Sequence, residues 1–142
     1  MKEATRQMLL RADHATEWEC PPDFDSHTAL REVRAFAQNA AQTLDLNFAV
    51  DDQVQDSSFF ADLFDVEFAL GVRFSAFGRL ALAFTVNVRD WTSEALPVEV
   101  VHLLQHRGYT VVRPEDVSGT YDGLKKELRG KATWFGRFFD YL

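Results

Sequence analysis

From Phe59 to Val88 the chain places an apolar side chain on almost every second residue, and no other stretch constrains the fold as tightly. Phe60, Phe64, Val66, Phe68, Leu70, Val72 and Phe74 share one parity, with Ala61, Asp65, Glu67, Arg73 and Ser75 on the other. After Phe77-Gly78 the alternation resumes, with Leu80, Leu82, Phe84, Val86 and Val88 set against Ala81, Ala83, Thr85, Asn87 and Arg89. Successive side chains of a strand point to opposite faces of the ribbon, so this spacing predicts a long antiparallel hairpin over about 59–88 with one apolar face. Gly78 supplies the positive φ that a tight turn requires. Phe77 then stands at the apex, either folded back on the sheet or offered to a partner as an aromatic anchor.

Helical signals flank this ribbon. Leu30, Val33, Phe36, Ala37, Ala40 and Leu44 repeat at three and four, which predicts a helix over 28–44 capped by Ser26 or Thr28. A second helix is expected from Pro97 to His106, stopped by Gly108 and followed by a strand at Tyr109–Val112. Lys2–Trp18 has a weak apolar stripe and is expected as a peripheral N-terminal helix, ended by Cys20-Pro21-Pro22. A short strand is expected at Leu46–Val50. At the other end, Trp134, Phe135, Phe138, Phe139 and Tyr141 crowd into ten residues and either complete the core or form an oligomer surface through Trp134, Phe138 and Tyr141.

The fold class expected from these elements is α+β. One domain spans 1–142, with a small, largely antiparallel sheet covered on one face by helices and a polar outer face. Thirteen Phe among 142 residues argue against disorder. No apolar run approaches the length of a membrane span, and the N-terminus lacks the apolar block of a signal peptide. The single cysteine, Cys20, permits no intrachain disulfide, which agrees with a reducing cytoplasmic compartment.

Charge is distributed unevenly. Asp45, Asp51, Asp52, Asp56, Asp62, Asp65 and Glu67 lie between Leu44 and Ala69 with no Lys or Arg among them, while the remaining 15 acids are matched by 15 bases. The whole net charge of −7 therefore belongs to one segment. Such a field repels nucleic acid and anionic membranes and draws in a basic partner; it equally keeps an aromatic-rich ribbon soluble and discourages edge pairing. Asp51, Asp52, Asp56, Asp62, Asp65, Glu67 and Phe77 are the candidate partner-binding residues.

Catalytic signatures are lacking. Glu99, His102 and His106 stack on one helix face at metal-ligand spacing, but that face lies opposite Val101 and Leu104, so they are expected in solvent and assigned no metal. No cofactor fingerprint, nucleophile elbow or phosphate loop occurs. The leading expectation is a non-enzymatic cytosolic protein that presents its acidic segment to a basic protein partner, as an immunity protein or inhibitor does. Its rival is a small enzyme or ligand-binding module with an aromatic-lined pocket between sheet and helices.

Overall fold

A computed structural model describes residues 1–142 as an α+β fold, with four helices packed against a six-stranded, mostly antiparallel sheet. Helix α1 (Glu3–Ala12) leads by an irregular segment to α2 (Ser26–Leu44), the longest helix. Val33, Phe36 and Ala40 bury one stripe of α2, as their spacing predicts. Its cap is Asp25, one residue ahead of the expected Ser26. Both Asp25 oxygens are used, one taking the Thr28 N–H at 3.2 Å and the other the Thr28 hydroxyl at 2.7 Å. Asp45 ends the helix in the left-handed region, φ 56°.

The strands are β1 (Ala49–Asp51), β2 (Phe59–Asp65), β3 (Leu70–Ser75), β4 (Leu80–Asn87), β5 (Asp90–Thr92) and β6 (Thr110–Val112). The first five are antiparallel neighbours in sequence order. Helix α3 (Val98–His106) crosses over to bring β6 parallel to Leu80–Leu82, so β5 and β6 share the same side of β4. Pro97 is the residue before α3 rather than its first residue.

Two expectations about the ribbon are corrected. The single hairpin over 59–88 is a three-strand meander, because the chain reverses at Val66–Ala69 as well as at Phe77–Arg79. In addition, β2 buries Phe59, Ala61, Leu63 and Asp65, the parity taken as polar. The four-residue turn at Val66–Ala69 sets this parity. With Asp65 opposite Leu70 and Leu63 opposite Val72, odd-numbered residues of β2 share a face with even-numbered residues of β3. The register shift between Phe59 and Ala61 touches only the start of the strand.

The sheet is covered on both faces, not one. On the helix side, Val33, Phe36 and Ala40 of α2 and Val100 and Leu104 of α3 pack on Leu63, Val72, Phe74, Ala81 and Ala83. On the opposite, tail side, Leu9 of α1 joins Phe77, Leu80, Leu82, Phe84, Val117, Tyr121 and the C-terminal aromatics. Helix α4 (Trp134–Phe138), capped by Thr133 through the Gly136 N–H at 3.0 Å, delivers Trp134 and Phe138 to that core. Strand β4 serves both layers in alternation, which is why every residue from Leu80 to Thr85 is buried. Trp134 and Phe138 are without exposed surface, so they complete the core and are not an oligomer surface; Tyr141 alone of the three is open, 60% exposed against Phe59.

Candidate functional site

Of the seven acids in the 44–69 segment, the fold uses three internally. Asp65 closes β2 and is 2% exposed; its carboxylate accepts the Asn47 N–H at 2.7 Å and the Phe68 N–H at 3.1 Å, tying the approach to β1 to the β2–β3 turn. Asp65 is thus withdrawn from any partner. Asp62 faces Arg73 across the β2–β3 register and takes its Nε at 2.8 Å and Nη2 at 2.9 Å, a bidentate pair. Asp52 pairs with Arg34 of α2; the Gln53 side-chain amide and then the Arg34 charge hold its carboxyl below the ordinary carboxylate value.

Asp45, Asp51, Asp56 and Glu67 remain exposed, and none takes part in an ion pair. They border β1, the terminal strand of the sheet, and the turn that follows β2. Glu67 sits in that turn between Val66 and Phe68, two apolar residues 81% and 54% exposed. Phe77 is elsewhere and fully buried: its ring lies 5.7 Å from Phe138 and 4.4 Å from the Arg137 guanidinium, and its N–H donates to Ser75 Oγ. Its role as an exposed anchor is therefore withdrawn. An aromatic residue at a tight turn is kept dry here because the C-terminal helix folds over it.

Beside the acidic edge, a groove of about 310 Å³ opens on the tail side of the sheet. Phe64, Phe84, Val86 and Trp91 floor it, and Asp51 and Asp62 stand at its rim. Gly71 makes this floor possible. A Cβ at that position would lie 2.3 Å from Phe84 Cζ, so the missing side chain lets the Phe84 ring lie flat across β3. The ring stacks on Trp91 at 3.8 Å and 5° between planes.

A second, more polar cleft of about 270 Å³ lies where the 21–25 segment, the start of α2 and the β3–β4 turn meet. Phe24, Phe60, Thr28, Glu32, Arg79 and Tyr109 line it. Burial pushes the Tyr109 phenol above its ordinary value, and its Oη has no hydrogen-bond partner.

No local spacing in the chain announces the polar cluster beneath the tail. Asp13 and Arg137, 124 positions apart, form an ion pair with side chains 0% and 1% exposed. Asp13 also accepts the Tyr121 hydroxyl and the Leu124 and His14 N–H groups, while Arg137 donates to the carbonyls of His14, Glu17 and Trp18. Burial first, then the bond to Asp13, pushes the Tyr121 phenol up to about 12. Lys125 is buried, with Nζ donating to Thr16 O at 2.9 Å and lying 3.7 Å over the Trp18 ring. All of its charged groups are satisfied internally, so this cluster holds the chain's two ends together.

The remaining candidates lie apart. Glu99, His102 and His106 project from the exposed side of α3. Burial and the nearby Glu19 and Glu17 push the Cys20 thiol up, away from the reactive thiolate.

These features define a small α+β domain with an acidic sheet edge next to an aromatic groove. No family model, curated protein or solved structure matches the chain.

Proposed function

We propose that this is a non-enzymatic binding protein that presents the β1–β2 edge of its sheet to a basic protein partner. One observation carries the reading: Asp45, Asp51, Asp56 and Glu67 are exposed around the terminal strand, and no base of the chain pairs with them. Acids left unbalanced on one border steer a cationic partner and speed its encounter. Size, charge and the absence of catalytic signatures suit an inhibitor or immunity protein that masks a basic toxin or nuclease. The lone Cys20 suits a cytosolic location.

The test is charge reversal. A variant carrying Asp51→Lys, Asp56→Lys and Glu67→Lys keeps its melting temperature but captures its partner from native extract more weakly and with a flatter salt dependence. Capture unchanged in both respects refutes the proposal.

The Tyr109 cleft supports a second reading, a small-molecule site. A buried phenol without a hydrogen-bond partner is the kind of group a ligand acceptor satisfies. A compound that raises the melting temperature of the wild type but not of Tyr109→Phe would favour it.

A further inference from the structure

The tail-side face of the sheet already holds one guanidinium, and its surroundings set a pattern. Arg73, its side chain 12% exposed, lies 3.7 Å from the ring centroid of Phe59 and 4.8 Å from that of Trp91. Both Asp62 oxygens take its N–H groups, and Nη1 donates to Phe139 O at 2.8 Å. Aromatic surface beside a carboxylate suits a guanidinium better than an ammonium, because the planar, weakly hydrated cation can stack and pair at once.

A second carboxylate stands one strand further out beside the same aromatic surface, with no base paired to it. Asp51 stands directly opposite Asp62 in the β1–β2 register. Arg73 pairs with Asp62 and neutralises it, and no base of the chain pairs with Asp51. The hydrogen bond Asp51 does accept, from the Gln53 N–H at 3.0 Å, brings no positive charge. Asp51 and the aromatic floor of Phe64, Phe84 and Trp91 line the same groove. That floor is built in advance, since Gly71 fixes where the Phe84 ring can lie and Trp91 stacks upon it.

We infer that this groove receives an arginine side chain of the basic partner, its guanidinium stacked on the aromatic floor and paired with Asp51. The inference rests on the acidic-edge reading and names the residue by which that edge is gripped. Arg73 is the internal precedent for the geometry. Lysine fits less well, because a compact, strongly hydrated ammonium gains little from a flat apolar floor.

The probe is an acetylated hexa-arginine amide, with hexa-lysine as its comparator, titrated calorimetrically at low salt. The proteins are the wild type, Asp51→Asn, Trp91→Leu and a triple variant neutralising Asp45, Asp56 and Glu67. Asp51 is exposed, so its variant reads the contact without disturbing the fold; near-ultraviolet circular dichroism checks Trp91→Leu. Hexa-arginine is expected to bind the wild type about tenfold more tightly than hexa-lysine, and to lose about tenfold in each of the two groove variants. Equal binding to the wild type and both groove variants, with a loss confined to the triple variant, would overturn the groove and leave the acidic edge standing. Equal affinity for the two peptides would overturn the preference for arginine. If neither peptide binds the wild type, both readings fall.

Discussion

Replacing Asp13 with Ala tests whether the two ends of the chain are held by charge. The Asp13 side chain has 0% exposure and that of Arg137 1%, so neither ion can recover hydration in place. Loss of the carboxylate leaves Arg137 with the carbonyls of His14, Glu17 and Trp18 but no counter-charge, and leaves the Tyr121 hydroxyl and the Leu124 N–H without their acceptor. Breaking one side of a buried pair costs about 3–5 kcal/mol, a third or more of the roughly 5–15 kcal/mol a domain commonly has. Arg137→Met should cost somewhat less, because the stranded carboxylate keeps three donors, from His14, Tyr121 and Leu124. The double variant should be less unstable than the sum by about 2 kcal/mol, since the second change removes the stranded partner. Urea unfolding followed by circular dichroism measures all three. Glu32→Ala is the control: its pair with Arg79 is 41% and 46% exposed, and its loss should cost about 1 kcal/mol or less. Strict additivity, or an Asp13→Ala cost no larger than that of the control, would refute the argument.

Three further outcomes follow from particular contacts. Gly71→Ala places a Cβ 2.3 Å from Phe84 Cζ, so the ring must leave β3; a loss of about 1–3 kcal/mol and a changed near-ultraviolet signal from Trp91 are expected in denaturation and circular dichroism. Tyr121 has its pKa raised by folding from the ordinary 10.0 to about 12, so its contribution to stability is intact below pH 10.0 and is lost as pH climbs toward 12. In Tyr121→Phe that part of the alkaline destabilisation should vanish, together with the latest phenolate step in an ultraviolet titration. Tyr109→Phe removes a buried hydroxyl that has no partner and should leave the protein as stable as before or about 1 kcal/mol more so; a lower melting temperature would show that Oη is bonded after all.

The parts of the fold legible in the sequence are those whose signals are local. The stripe Val33, Phe36, Ala40 marked α2, and Pro97 with Gly108 bracketed α3, to within a residue or two. The turn at Phe77-Gly78 was visible because Gly78 adopts φ 60°. The β2–β3 turn was hidden: Val66 and Phe68 prolong the alternation through it, and Ala69, not glycine or asparagine, takes the positive φ of 50°. A covered second face was equally unreadable, because Ala81 and Ala83 look like an outer set until α2 and α3 are laid on them. Among the site residues, the excess of acid was plain, but which acids stay free was not. Arg34 and Arg73, the bases that occupy Asp52 and Asp62, lie outside the acidic segment, and Asp65 is spent on two backbone N–H groups. The Asp13–Arg137 contact spans almost the whole chain, and no spacing rule reaches that far.

The cluster that joins the two ends also bears on the order in which the molecule assembles. The helix-side layer is drawn from one continuous stretch, Ser26 to Val112, and can close over short loops. The tail-side layer waits for residues near both termini, and its Asp13–Arg137 and Ser58–Asp140 bonds close loops of 124 and 82 positions. The most accessible partly open form is therefore one in which residues 26–112 keep their structure while both ends swing away, and amides of α1 and α4 exchange with solvent ahead of those in β3 and β4. That form bares Phe77, Leu80, Leu82 and Phe84 together, a wide aromatic face on a sheet with an open edge. Residues 1–20 and 134–142 thus act as a paired shutter over the surface most prone to self-association, and a lesion at either end exposes the same face.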